Sequence, residues 1–274
     1  MSSFRFDQAE GLRRLLGEPR QQVFSLLSTA RFQHKCFLFF NLASLLVRQG
    51  SRVVVLDAIT SPDGVAHYHP PLLPAVTLEA VASGTGDLDG IFSRFPHGFD
   101  LMRLSGHSPD FRKNSLFAKR LDFAFESAIT GMDIVMIDAR LDHRHGFPLS
   151  MMAESQLIIH VSDTEKSIKD AYLLVKCLTH RFGRIPLGVL VSGSEERHSQ
   201  TVFRNMAHAA ESYLDTTLYF MGHVPKEVYP MQAAVAAGTA RNGVTDSFSA
   251  FQHLAGSFSA RETASRNAYE TTGA

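Results

Sequence analysis

Apolar and polar positions alternate in blocks along this chain, short β-branched runs taking turns with longer stretches of helical periodicity. The first pair of runs is "VFSLLS" (23–28) and "RVVVLDA" (52–58), which read as buried parallel strands. Between them "CFLFFNLASLLVRQG" (36–50) has helix length and an apolar stripe, and Gly50 is placed to stop it. These segments predict a βαβ unit. Further strands are predicted at "FDLMRL" (99–104), "MDIVMIDA" (132–139), "SQLIIHV" (155–161), "PLGVLVS" (186–192) and "TLYFMGHV" (217–224). Helices are predicted at 117–129, 167–183, 201–214 and 246–258. The alternation predicts an α/β fold, a doubly wound, mostly parallel sheet with helices on both faces. No repeat or linker interrupts it, and the tail 261–274 is polar and expected to fray.

Composition changes this picture little. The 274 residues are 45% hydrophobic and 20% charged, enough for one large core. Net charge is zero, so no global field favours nucleic acid or an anionic membrane. The N-terminus lacks the apolar core of a signal peptide and no run reaches the roughly 18 apolar residues of a membrane span, so a cytoplasmic protein is expected. Cys36 and Cys177 fall in predicted helices and read as free thiols. Of the 13 histidines, His67 and His69 could converge in an extended segment, and "LDHRHG" (141–146) holds another pair. No cysteine or carboxylate cluster completes a tetrahedral set, so surface loop histidines are expected and no metal site.

Ligands of such sheets bind beyond the carboxyl ends of the strands, so the residues there carry the chemistry. After the first strand, "ARFQHKC" (30–36) has the layout of a phosphate-binding loop without its glycines. In a working loop, glycines turn backbone amides toward the phosphates, a lysine neutralises them and a hydroxyl holds magnesium. Lys35 stands where that lysine belongs, Cys36 replaces the hydroxyl, and bulky residues fill the turn. Taken alone, Lys35 reads as a solvated lysine opening a helix. Asp57 and Asp138 each end a buried strand, where a carboxylate can hold magnesium or cap the next turn. Lys35, Asp57 and Asp138 together form the candidate nucleotide site. Arg31, His34 and Lys35 add positive charge at a helix N-terminus, which favours anions, while Phe32 reads as a filler of the vacated pocket.

Taken together, these segments resemble the MinD/ParA group of deviant P-loop ATPases, and within it the FlhG (FleN) flagellar number regulators, over nearly the whole chain. "ARFQHKC" lies where that family has K-G-G-V-G-K-T, at the same distance before "NLA" (41–43). "MDIVMIDA" matches the Walker B strand, "DTEKSIKDAYLLVKCL" (163–178) a characteristic FlhG stretch, and "GHVP" (222–225) a family strand end. The resemblance implies that Ala30 replaces the signature lysine, Ile59 the water-orienting aspartate and Ser192 an asparagine near the base, while Ala139 and Arg140 occupy a switch segment. Phosphoryl transfer is almost entirely positioning and charge stabilisation, so these losses predict a pseudo-ATPase with no catalytic residues and no cofactor. The alternative is an ATP-binding switch that retains ATP and magnesium through Lys35, Asp57 and Asp138.

The chain also divides into an N-terminal element (1–20), an α/β domain (21–260) and the tail (261–274). "FDQAEGLRRLLG" (6–17) reads as a short capped helix with Ala9, Leu12, Leu15 and Leu16 on one face. Asp7, Gln8, Ala9, Leu12 and Arg13 match the family's D-Q-A-x-x-L-R element. What the resemblance implies is contact with, and stimulation of, an FlhF-type signal-recognition GTPase, alongside a flagellar transcription regulator or basal-body component as further partners. Phe248, Phe251, Leu254, Ala255 and Phe258 form a stripe with few basic residues, which predicts core burial rather than membrane insertion.

Overall fold

In the computed structural model, residues 21–105, 115–141 and 146–224 are described. They form an eight-stranded sheet: β1 (Gln22–Ser28), β2 (Val53–Asp57), β3 (Ser93–Arg94), β4 (Asp100–Arg103), β5 (Ile134–Ala139), β6 (Gln156–Ser162), β7 (Leu187–Ser192) and β8 (Leu218–Val224). The spatial order is β3-β4-β2-β5-β1-β6-β7-β8. Every pairing is parallel except β3 against β4. The helices are α1 (Phe32–Arg48), α2 (Leu78–Ser83), α3 (Ser115–Ala128), α4 (Ser150–Glu154), α5 (Glu165–Phe182) and α6 (Glu196–Leu214). This is the doubly wound α/β architecture that the alternation predicts, with the expected strands in place. The helix predicted at 246–258, the N-terminal element and the tail lie outside the described residues.

A parallel strand covered on both faces should be apolar throughout, and β2, β5 and β7 are buried at every position. Successive side chains then serve two cores. Val53 and Val55 join Leu26, Met136 and the apolar stripe of α1 in one cluster. Val54 and Leu56 join Val135 and Ile137 in the other, under α3, α4, α5 and α6. The aromatic centre of the α1 side is Phe40, stacked on Phe95 at 4.9 Å and Phe99 at 5.8 Å between centroids.

Helix α1 ends as its sequence predicts. Gly50 takes φ +98, its N–H donates to Val47 O, and the Ser51 N–H reaches back to Leu46 O. This is a Schellman cap, and the positive φ is why glycine stands there. The other end departs from expectation. The helix starts at Phe32, four residues before the predicted Cys36, and the Lys35 N–H already donates to Arg31 O at 3.0 Å. Most of the stretch aligned with a phosphate loop is therefore the first turn of a helix, with only residues 29–31 joining it to β1. The two short helices α2 and α4 and the two-residue strand β3 carry too few residues to show a period, and the hydrophobic pattern does not reveal them.

Candidate functional site

The strand order places β1 between β5 and β6, with crossovers running to either side of it. A crevice at the carboxyl ends of the strands results. β2 and β5 are neighbours, and their register sets Asp57 directly beside Asp138. Lys35 projects from the first turn of α1 into the same place. The structure thus brings the three predicted residues together, and each is buried: Lys35 is 5% exposed, Asp57 2% and Asp138 0%. The reading of Lys35 as a solvated lysine is corrected. Because residue 35 lies one turn inside the helix, its side chain descends onto the sheet instead of facing solvent.

Charges buried this deeply need partners, and here the chain supplies them. Lys35 Nζ donates to Asp138 Oδ2 at 2.7 Å and to the Asp63 carbonyl at 2.6 Å. The Val65 N–H donates to the same Asp138 oxygen at 2.9 Å. Asp57 accepts from the Ile59 N–H at 3.0 Å and the Ala66 N–H at 2.9 Å. All these backbone groups belong to one segment after β2, which turns at Ser61–Gly64 and continues as a short 3-10 helix, Val65–Tyr68. Val65 and Ala66 have no exposure. From outside, Arg140 donates to Asp63 Oδ2 at 3.1 Å and to Ser61 Oγ at 3.3 Å. Of this segment, the sequence alone points only to Ile59, as the replacement for a water-orienting aspartate, and not to residues 61–66.

Burial pushes the Asp57 carboxyl up to about 7, and the neighbouring charge of Asp138 adds to the rise while its two backbone donors oppose it. Asp138 is also pushed up by burial, against the pull of the Lys35 ammonium. Its second oxygen, Oδ1, is buried without a hydrogen-bond partner among the described residues. His67 Nδ1 lies 3.9 Å from Asp57 Oδ2, but burial and then the charge of Arg103 lower its pKa, which disfavours an ion pair.

A second polar cluster lies on the other side of β1. His160, fully buried on β6, has Nδ1 2.9 Å from Ser28 Oγ and Nε2 2.9 Å from Ser192 Oγ. Thr29 Oγ1 lies 2.8 Å from Ser167 Oγ, and Ser162 Oγ 3.0 Å from Thr164 Oγ1. Burial, then the charges of His34 and Lys35, holds His160 down to about 3, so the ring is neutral. Sequence reasoning assigned His160 no role, since an isolated histidine within a β-branched run carries no spacing signal.

No protein-family model matches the chain. Antiactivator FleN from Pseudomonas aeruginosa is 25% identical over 189 residues, covering 68% of this chain and 66% of FleN. The chain thus spans just under two thirds of that relative's length. Among solved structures, MinD cell division protein of Aquifex aeolicus superposes with a TM-score of 0.55 at 17% identity, over 89% of this chain and 97% of that one. A ParA family ATPase from Chlorobium tepidum gives 0.56 at 15% identity, over 88% and 97%. A putative plasmid partition protein from Borrelia burgdorferi bound to AMPPNP gives 0.57 at 12%, over 87% and 98%. The chain has the MinD/ParA fold and resembles FleN in sequence.

Within the MinD/ParA fold, the predicted substitutions can be located. Cys36 has no exposure, and burial pushes its thiol far up, so it presents a neutral group to an apolar core. Ile59 is buried as an apolar residue. Ser192 is the hydroxyl hydrogen-bonded to His160 Nε2. Phe32 is half-buried, 6.1 Å from the Tyr68 ring, and the Lys35 ammonium lies 5.9 Å from its centroid. It packs on the segment after β2, where a pocket filler was expected. Of the three cationic residues expected to draw anions, Lys35 is neutralised internally, and burial and then Arg31 lower the His34 pKa. His69 packs against Phe40 and Phe95. His143, His145 and the residues expected to bind a partner, Asp7, Gln8, Ala9, Leu12 and Arg13, lie outside the described residues. Among the described residues no group of three or more His, Cys, Asp or Glu side chains is placed to hold a metal, and no helix is long and apolar enough to cross a membrane.

Proposed function

We propose that the protein is a non-catalytic regulator of the FlhG type, acting on flagellar number, placement or biosynthesis through protein contacts. It stimulates an FlhF-type GTPase through the N-terminal element containing Asp7, Gln8, Ala9, Leu12 and Arg13. The observation that carries the non-catalytic part is the state of Lys35. A lysine bonded to Asp138 and to its own backbone at Asp63 is not aimed at a phosphate. The helical first turn supports the same reading, because amides of residues 35 and beyond are spent on helix bonds rather than turned toward a ligand. Magnesium and ATP do not fit this arrangement: an ammonium and an amide already share Asp138 Oδ2, and position 36 offers a buried thiol. The similarity to an antiactivator, FleN, supports a regulatory role. The reading is tested by GTPase assays of an FlhF-type partner with the full chain. Leu12→Glu is expected to abolish stimulation with the fold intact, and stimulation that survives it contradicts the reading.

One observation favours a second reading. Asp138 Oδ1 is buried beside Asp57 with no hydrogen-bond partner among the described residues, as an oxygen awaiting a cation would be. In that reading ATP and magnesium displace the segment after β2 and engage Lys35, Asp57 and Asp138. It requires magnesium-dependent ATP binding that is lost when Lys35 is replaced in a folded protein.

A further inference from the structure

The segment after β2 makes contacts of the kind a ligand would make. It presents a carbonyl oxygen, from Asp63, to a buried ammonium and two consecutive amides, from Val65 and Ala66, to two adjacent carboxylates. Nothing about its own sequence demands this depth: "SPDG" (61–64) is a turn that folds as readily on a surface. What admits it is Gly64. Its φ of −69 is open to any residue, so conformation is not the reason for glycine. Space is: a Cβ at Gly64 would stand 2.3 Å from both carboxylate oxygens of Asp57. The backbone has therefore closed onto the carboxylate as tightly as a side-chain-free residue permits.

We infer that residues 61–66 are a built-in ligand of this site, seated by Lys35 as the positioning residue, so that the fold is held in one closed state without any nucleotide. The inference rests on the non-catalytic reading, and it assigns that reading a mechanism. A MinD/ParA fold whose ligand site is filled from within has no nucleotide state to report. Lys35, the residue most suggestive of an ATP site, is retained because it holds the chain's own carbonyl. Arg140 clips the segment from the solvent side through Ser61 and Asp63.

Amide hydrogen exchange of the full-length, isotope-labelled protein tests this directly. In the wild type the Val65 and Ala66 amides are expected to exchange at least ~100-fold more slowly than unprotected amides, with Val54 and Ile137 as core references. Gly64→Ala is expected to accelerate Val65 and Ala66 at least ~10-fold while the core references stay protected. Should Gly64→Ala fail to fold, Arg140→Ala serves instead, with a several-fold acceleration confined to the same amides. Adding ATP and magnesium to the wild type is expected to leave both rates unchanged. Unprotected Val65 and Ala66 in the wild type, rates unaltered by every folded variant, or release of the amides by ATP and magnesium each overturn the inference. Nucleotide binding that leaves the rates unchanged would defeat the non-catalytic reading alone, so the two failures are distinguishable.

Discussion

The two polar clusters flanking β1 bury their polar groups by opposite means. Toward β5 and β2, the chain buries the Lys35 ammonium and two carboxyls, pairs Lys35 with Asp138 and the Asp63 carbonyl, and turns three backbone amides onto the carboxyls, leaving Asp138 Oδ1 without a partner among the described residues. Toward β6 and β7, it buries a neutral histidine among hydroxyls, with no charge to compensate. Removing one partner of a buried ion pair leaves a charge stranded, whereas removing one member of a neutral network leaves only an unmet hydrogen bond. One side of the crevice is thus held in place by its own electrostatics, and the other by packing and neutral hydrogen bonds.

Disrupting the charged side should be the most damaging change. Lys35→Met keeps most of the volume and strands Asp138, and should cost about 3–5 kcal/mol in chemical denaturation at neutral pH. Combining it with Asp138→Asn should recover part of that loss, and a simply additive double variant would mean the pair is not coupled. On the neutral side, His160→Ala should cost about 1–3 kcal/mol through the orphaned hydroxyls, with the lost ring packing adding to it. A larger loss than for Lys35→Met would invert the contrast between the two sides.

Opposite pH dependences are expected as well. The His160 ring has a folded-state pKa near 3, below its ordinary 6.5, so between these values the unfolded chain binds more protons. Its contribution to stability therefore falls as pH drops from 6.5 toward 3. Asp57 has a folded-state value near 7, above its ordinary 3.8, so the native state binds more protons in that window. Its contribution falls as pH rises from about 4 to 7. Comparing stability against pH for His160→Ala and Asp57→Asn should show the acid decline flattened in the first and the decline toward neutrality flattened in the second. A milder change probes the hydroxyl that the family resemblance expects at position 36. Cys36→Ser restores an oxygen but within a helix core, and should cost ~1 kcal/mol without creating a response to magnesium in thermal melts.

Buried strands announce themselves as β-branched runs, and the carboxylates at their ends can be placed from the amino-acid sequence alone. The convergence of Lys35, Asp57 and Asp138 then follows from the doubly wound fold. Two features stay hidden at that level. The start of α1 is masked by alignment with a loop, although Phe32, Cys36 and Phe39 recur at helical spacing and no glycine or proline breaks "RFQHKC". The segment 61–66 contributes through its backbone, and main-chain donors leave no trace in side-chain patterns. The turn in "SPDG" is the available signal, but a turn does not say what it closes upon.

The proposed reading has Lys35 serving the chain and not a nucleotide, and calorimetry tests it. The full-length protein would be titrated with ATP and magnesium at concentrations that detect millimolar affinity. A flat trace from folded protein is predicted. Saturable, magnesium-dependent heat that disappears in a folded Lys35→Met variant would contradict that role and establish the site as a nucleotide switch.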